Sequence, residues 1–186
     1  MDETRRSAEP GEAAARGRDP WRRFVLVFAA LAVVSELVYY GVALESDLFA
    51  AYLALLARIS GFLLGFVADE VSVHGTLIRS SLFSVEIARG CDAYRICSLL
   101  TAAIIAFPSS LRLKLWGLAL GLLWLNILNF VRILGLFFIG GFLPEHFQAS
   151  HQTYFPIFLI CMTMAAWILW LRWATREAIR PQANSA

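Results

Sequence analysis

The sequence predicts an all-α membrane protein, a bundle of about four transmembrane helices with an interfacial or re-entrant helix and a short extracytoplasmic hairpin. Three observations support this prediction. The 186 residues are 59% hydrophobic and only 16% charged, whereas soluble domains carry about 25% charged residues. The mean hydropathy is +0.66. The apolar residues also lie in blocks long enough to enter a bilayer, which are residues 24–44, 48–67, 92–108, 115–140 and 153–173.

The chain ends are expected to flank a single membrane domain. Residues 1–23 are rich in Arg, Ala, Glu, Gly and Pro, and we expect them to form a disordered cytoplasmic tail. The block at 24–44 is too long for a signal-peptide core and lacks a small-residue cleavage site, so it should remain as an anchor. Residues 24–180 then form one transmembrane domain, and residues 181–186 form a C-terminal tail.

Basic residues predict which blocks cross the membrane. Eleven of the sixteen Lys and Arg residues lie in the tail, in the 109–114 loop and near the C-terminus, and all favour the cytoplasm. Five crossings would put the two termini on opposite sides. The block at 48–67 carries Arg58 at its middle, and an Arg at the bilayer centre costs at least roughly 2.5–3.5 kcal/mol. We therefore expect 48–67 to be the interfacial or re-entrant helix and the other four blocks to span.

This topology places two segments on the extracytoplasmic side. Residues 68–91 and the loop at 141–152 both lie there, and Cys91 sits at the outer mouth of the second span. The sequences VSV at 71–73 and FSVEI at 83–87 alternate apolar and polar residues. Such alternation is typical of strands, so we expect a short hairpin that leads into the cysteine.

Polar residues inside the third span lie at the same depth as Cys91. Asn126, Asn129 and Arg132 are spaced by three and form one stripe on a helix. With Leu115 as the cytoplasmic start, Arg132 lies roughly 26 Å along the helix, just below the outer surface of a hydrocarbon core about 30 Å thick. His151 stands two residues before the last span. It therefore lies at the outer interface too.

A thiol, an imidazole and a guanidinium at one depth can perform acyl transfer. Cys91 would be the nucleophile, and His151 would take its proton and later protonate the leaving amine. Arg132 stays charged, so it would stabilise a thiolate or an oxyanion. Asn126 and Asn129 could orient Arg132 or donate to substrate.

Neighbours of Cys91 have more than one possible role. Tyr94 and Arg95 lie about one turn after Cys91 and face near it. Arg95 could lower the thiol pKa, bind a substrate carboxylate or contact a lipid headgroup. Asp92 is expected to cap the second span. Glu36 could pair with Arg58 or Arg132 or face a hydrated cavity, and we expect a structural ion pair.

Each candidate taken alone has a simpler explanation. Cys91 could be an inert cysteine at a helix start, Arg132 could snorkel to the interface, and His151 could be an ordinary loop histidine. His146, and less so His74, are rival bases. What favours a site is the coincidence of three such groups at one depth.

Other function classes find no support in the sequence. The three cysteines form no CxxC pair and no zinc spacing, and Walker, GxGxxG, HExxH and haem motifs do not occur. We therefore expect no metal and no cofactor. The net charge of +2, without a basic aromatic patch, argues against nucleic acid as a partner. Membrane lipid is an expected partner.

Four stretches resemble the exosortase/archaeosortase family of membrane transpeptidases. They are GCDAY, AFPSSLRLKLWGLALG, LNFVRILGLFFIG and ASHQTYF, which fall within roughly residues 82–160 in the family's order of Cys, Arg and His. Cys91, Arg132 and His151 match the family's catalytic positions. Many members carry Gly two positions after the cysteine, where this chain has Ala93.

The resemblance implies a cysteine transpeptidase of the inner (cytoplasmic) membrane with its active site on the extracytoplasmic side. Such enzymes recognise secreted proteins by a C-terminal sorting signal, which consists of a short motif, a transmembrane helix and a basic cluster. They cleave near the motif and pass the new carboxyl end to an acceptor through a thioester. Two alternatives remain, a non-catalytic assembly subunit of an envelope-polysaccharide system and a protease in which water accepts the acyl group.

Overall fold

The computed structural model describes residues 20–41 and 45–183, with side chains described for 21–41 and 45–177. Most of the expected tail at 1–23, together with residues 184–186, lies outside the described residues. The first helix begins at Pro20, four residues before the predicted block, and proline suits the first helical position. The helices are α1 (Pro20–Gly41), α2 (Asp47–Leu64), α3 (Tyr94–Ala106), α4 (Leu111–Phe142), α5 (Pro144–Ala149) and α6 (Phe155–Ala183).

Helices α1, α3, α4 and α6 form the bundle. Helix α1 packs on α3, α3 packs on α4 and α6, and α4 packs on α6. The shared interior of α3, α4 and α6 is apolar, with Leu100, Ile104, Leu125 and Leu159 almost fully buried. Burial of each such side chain stabilises the fold by about 1.5–3 kcal/mol.

Four helical segments of the described chain are long and apolar enough to cross a membrane, which confirms the predicted class. These four helices differ from the four predicted spans at one place. Helix α2, with 18 residues, is long enough to cross, whereas α3, which was predicted to span, has only 13 residues. A 13-residue helix is about 20 Å long, shorter than a hydrocarbon core of about 30 Å. Residues 107–110 continue from α3 without helical structure to the start of α4.

Helix α2 lies to one side of the bundle. Its buried residues Leu53, Leu56 and Leu64 pack against the sheet and against the C-terminal half of α4, while Arg58 is exposed. The Ser46 side chain caps the helix by accepting the Phe49 N–H at 3.2 Å. The position of α2 is compatible with the predicted interfacial helix, and its orientation in a membrane stays a prediction.

The segment before Cys91 forms a three-stranded antiparallel sheet rather than a simple hairpin. Both predicted strands exist, but an unpredicted strand lies between them, so they do not pair with each other. Gly75 has φ +62°, which suits the tight turn between the first two strands. The strands are β1 (Ser72–His74), β2 (Leu77–Arg79) and β3 (Ser84–Glu86).

The sheet is fixed to the end of α4 by two glycines. A Cβ atom on Gly140 would overlap the Phe83 ring, and one on Gly141 would overlap Leu82. The absence of side chains therefore lets the segment before β3 lie directly on the helix backbone. Ile87, which follows β3, is 1% exposed. These contacts hold the start of the Cys91 loop against the end of the bundle where α4 terminates.

The predicted loop at 141–152 is wrong. Helix α4 continues to Phe142, the chain turns at Leu143, and α5 begins at Pro144. A helix can restart there because the fixed φ of proline suits a first helical position. From Pro144 onward the chain is helical through a π-helical turn at Ser150–Tyr154 into α6. His151 therefore lies inside a helix.

Candidate active site

The cysteine lies in a short loop between β3 and α3. Cys91 is 8% exposed, and its N–H donates to the Ala88 carbonyl at 3.0 Å. Ala93, immediately before α3, has φ +57°. This left-handed conformation costs an L-residue roughly 1–2 kcal/mol, whereas glycine adopts it freely. The backbone thus explains why a glycine would suit the position of Ala93.

A buried carboxylate fixes the loop to three helices. Asp92 accepts hydrogen bonds from the Tyr39 hydroxyl at 2.5 Å and the Tyr94 N–H at 2.9 Å. A longer bond comes from the Gly90 N–H at 3.4 Å. The Tyr52 hydroxyl donates to the backbone carbonyl of Asp92 at 2.9 Å. Asp92 therefore receives the first N–H of α3, as predicted, and also ties the loop to α1 and α2.

Helix α4 holds the loop from the other side. The Asn129 Nδ2 donates to the Cys91 carbonyl at 2.8 Å, and the Arg132 Nη1 donates to the Gly90 carbonyl at 3.1 Å. The two side chains are 1% and 6% exposed. In the described part of the chain, Asn129 Oδ1 and Arg132 Nε have no hydrogen-bond partner. Both atoms are enclosed by protein, with less than 1 Å² of each exposed.

His151 reaches the thiol from the π-helical turn. Its Nε2 lies 3.6 Å from the Cys91 Sγ, within hydrogen-bonding range of sulfur. The turn is explained by Pro156, which has no N–H for the Gln152 carbonyl and whose ring crowds that carbonyl. One wider turn accommodates this, and such turns are frequent at functional sites.

The His151 ring is held by its neighbours. It stacks on Phe147, one turn earlier, with ring centroids 5.9 Å apart and planes 11° apart. Phe147 in turn contacts Phe83 beside the sheet, at 5.5 Å. The thiol can donate to Nε2 when the ring proton sits on Nδ1. This arrangement suits an imidazole that accepts the thiol proton.

Electrostatics keep the thiol protonated at rest. Burial raises the pKa of Cys91 above its ordinary value, the positive charge of Arg132 lowers it, and the nearby Asp92 carboxylate raises it. Because burial dominates, the resting group is a neutral thiol at neutral pH. Such a thiol needs a base at the moment of attack, and His151 is in position to be one.

Two further predicted site residues do not meet the thiol. Asn126 donates to the Leu122 carbonyl of its own helix at 2.8 Å and lies 4.0 Å from the Cys97 sulfur. The Tyr94 hydroxyl donates to the Ser35 carbonyl of α1 at 2.8 Å. The sequence spacing predicted that both residues lie near Cys91. Instead, the Asn126 side chain points along its own helix α4, and the Tyr94 side chain points toward α1.

Arg95 is engaged by α1. Its guanidinium lies 3.5 Å from the Glu36 carboxylate, bonds the Tyr40 hydroxyl and lies over the Tyr40 ring at 5.6 Å. The predicted pairing of Glu36 with Arg58 or Arg132 is therefore wrong. Arg95 is also absent from the charges that shift the pKa of Cys91, so the structure gives no support to its acting on the thiol.

The rival histidines lie elsewhere. His146 pairs with Glu145 at 3.3 Å, and both side chains are more than half exposed. His74 is exposed on the edge strand β1. His151 is therefore the histidine that the fold brings to the thiol.

A cleft lies beside the site, on the side of the bundle. It has a volume of about 710 Å³ and lies between α1, α3 and α6, with Gly90, Arg132 and Arg95 among its lining residues. Cys91 and His151 do not line it. Its volume is within the range of about 300–1,000 Å³ that is common for ligand-binding pockets.

Several positioning residues were not predicted from the sequence. Tyr39 and Tyr52 hold the Cys91 loop from helices that are distant in sequence, and Phe147 holds the His151 ring from the preceding helical turn. The sequence did offer a signal for the π-helical turn that carries His151. A proline near the start of a span disturbs the preceding helical turn, and Pro156 stands at that position.

The fold and site define a multi-pass helical membrane protein in which cysteine, histidine, arginine and asparagine meet at one end of the bundle. The sequence model of the transmembrane exosortase family matches residues 13–167, and the chain belongs to that family. This confirms the resemblance carried by the stretches around Cys91, Arg132 and His151. No curated protein and no solved structure matches the chain.

Proposed function

We propose that the protein is a cysteine transpeptidase that cleaves a C-terminal sorting signal of secreted proteins and transfers the new carboxyl end to an acceptor. The observation that carries this proposal is the 3.6 Å approach of Cys91 Sγ to His151 Nε2 beside the buried Arg132. A buried thiol with an adjacent base and a buried cation is the combination that thioester chemistry requires.

The first half-reaction forms the thioester. His151 Nε2 takes the Cys91 proton as the sulfur attacks the carbonyl carbon of the scissile peptide. The resulting oxyanion is stabilised by the charge of Arg132, which lines the cleft and is only 6% exposed, so water screens it poorly. The C–N bond then breaks, and the His151 imidazolium gives its proton to the leaving amine.

The second half-reaction releases the product. A nucleophilic amine or hydroxyl of the acceptor attacks the thioester carbonyl and passes its proton to His151. The C–S bond breaks, and the sulfur takes the proton back to regenerate the thiol. The bonds from Asn129 and Arg132 to the carbonyls of Cys91 and Gly90 keep the loop in place through both steps, so the nucleophile needs no reorganisation.

The proposed site of action is the extracytoplasmic face of the inner (cytoplasmic) membrane. Arg112 and Lys114, at the start of α4, favour the cytoplasm by the positive-inside rule. Cys91, Arg132 and His151 lie toward the opposite end of the bundle. A membrane-impermeant thiol reagent should therefore label Cys91 in intact cells, and labelling only after lysis would contradict this sidedness.

Substitution of the three proposed catalytic residues tests the activity. Cys91→Ala, Arg132→Ala and His151→Ala should each abolish processing of a secreted protein that ends in a motif, an apolar helix and an arginine cluster. The matched control is Cys161→Ala, an exposed cysteine on α6, which should process normally. All four proteins should accumulate to similar levels. Normal processing by Cys91→Ala would exclude the proposed reaction and favour a non-catalytic assembly role.

The chemical form of the product separates transfer from hydrolysis. Mass spectrometry of the processed protein should find an adduct at its new C-terminus. A free carboxylic acid would instead indicate that water is the acceptor and that the protein is an intramembrane protease.

A further inference from the structure

The cleft at the site continues as an apolar groove down the side of the bundle. A second cavity of about 290 Å³ lies between α1, α3 and α6. It shares Ile96, Leu99 and Ile160 with the cleft that contains Arg132. The two cavities therefore adjoin, and together they form a groove that is partly polar beside Arg132 and apolar below.

The shape of the groove follows from helix packing. Helices α1 and α6 both pack on α3, and α3 forms the floor between them. At the far end the walls meet where the Phe24 and Trp167 rings stack, with centroids 6.1 Å apart and planes 20° apart. Six residues of α6 line the two cavities. The first, Pro156, and the last, Trp167, are separated by a helical rise of roughly 16 Å.

The groove opens sideways to the bilayer. Leu99, Ile160 and Met164 are 40%, 53% and 51% exposed although they line it. Two lining side chains are small, Ala103 on the floor and Thr163 on the α6 wall, and both are 8% exposed. The Thr163 hydroxyl donates to the Leu159 carbonyl at 2.7 Å, so it offers no unpaired polar group. Small residues at a membrane interface let a second helix approach closely.

We propose that this groove binds the transmembrane helix of the substrate's sorting signal, an inference that rests on the function proposed above. When the scissile carbonyl of the substrate lies at Cys91 Sγ, the substrate residues that follow it belong to the transmembrane helix and must enter the bilayer. Unpaired backbone groups are costly in hydrocarbon, so that segment must be helical. The groove begins at the site and descends from it, which lets one continuous chain present its scissile bond to Cys91 and its helix to α3.

Photo-crosslinking in the full-length protein tests the occupant directly. The substrate is a secreted reporter carrying a C-terminal motif, apolar helix and arginine cluster encoded in the same genome. A photoreactive amino acid replaces Met164 in the groove or Leu169 outside it, 51% and 65% exposed on the same helix. A Cys91→Ala background holds the substrate uncleaved. We expect a crosslink to the reporter's helix from position 164 and not from 169.

A steric block gives an independent readout. Leu99→Trp fills the groove where the two cavities join, and we expect it to slow processing at least about tenfold, which corresponds to 1.4 kcal/mol. Leu120→Trp makes the same change on the outside of α4, where Leu120 is 56% exposed, and should process normally. Unchanged Cys91 alkylation in Leu99→Trp would verify that its site is intact.

The outcomes separate this inference from the proposed function. If the wild-type protein processes the reporter but Leu99→Trp is equally fast, or position 164 crosslinks lipid alone, the groove is a lipid site and the inference is overturned. If the wild-type protein leaves the reporter uncut, the proposed function fails and the groove proposal falls with it.

Discussion

Replacement of Arg132 by glutamine should raise the pKa of the Cys91 thiol. The guanidinium is 6% exposed and the cysteine is 8% exposed, so water screens their interaction poorly. The charge of Arg132 lowers the pKa of Cys91 against the effect of burial. Glutamine keeps an amide donor for the Gly90 carbonyl but removes the charge. With the charge of Arg132 gone, burial and the Asp92 carboxylate, which both raise the pKa of Cys91, act without that opposing charge.

The size of the effect follows from the loss of one buried charge. Loss of a nearby opposite charge disfavours the thiolate, so the thiolate fraction falls at a fixed pH below the inflection. A more basic thiolate is also more nucleophilic, but with a Brønsted coefficient of about 0.4–0.5 this offsets only part of the loss. We expect the alkylation rate to fall by at least about threefold.

The assay is the pH dependence of Cys91 alkylation by iodoacetamide. Cys97 and Cys161, the other two cysteines, are replaced by alanine so that one thiol reports. The parent protein should show an inflection above the ordinary cysteine value of about 8.5, and Arg132→Gln should move it higher. Arg95→Gln, which removes a charge paired with Glu36, should leave it unchanged. An unchanged or lower inflection in Arg132→Gln would refute the electrostatic role of Arg132.

Three further variants test other parts of the site. In His151→Gln the side chain cannot accept and return a proton, so the rate of reporter cleavage should fall by about 10²–10⁴-fold. A rate near that of the wild type would exclude His151 as the base. Ala93→Gly relieves the strain of the left-handed backbone at φ +57°. It should raise the free energy of unfolding by up to about 1 kcal/mol, measured as a higher melting temperature in detergent. A marked decrease in melting temperature would contradict the strain. Tyr39→Phe removes the 2.5 Å bond to buried Asp92 and should cost about 1–3 kcal/mol in the same unfolding assay, whereas Tyr40→Phe, at an exposed position, should cost less.

The apolar helices and the cluster of reactive residues could be predicted because they depend on local patterns, although the second predicted span proved to be a helix of only 13 residues. The apolar blocks predicted the helices, and the rise per residue of a helix predicted that Arg132 lies at the same depth as Cys91. The same logic misplaced Asn126 and Tyr94, whose backbones lie near the site while their side chains point away. Spacing along a helix fixes depth better than it fixes what a side chain contacts across the bundle.

The remaining features depend on contacts between distant parts of the chain. Asp92 binds Tyr39 across 53 residues, and no pattern in either segment indicates that pairing. The end of α4 and the start of α5 were predicted as a loop because residues 141–152 are less apolar than their neighbours. Pro144 instead restarts the helix at once, and Pro156 accounts for the π-helical turn that presents His151.

Intact-protein and peptide mass spectrometry of the protein trapped during turnover tests the central claim most directly. The account predicts that the N-terminal portion of the cleaved reporter is attached to the peptide containing Cys91, and that hydroxylamine, which cleaves thioesters, releases it. Complete cleavage of the reporter with Cys91 unmodified throughout, and with equal cleavage by Cys91→Ala, would contradict the account.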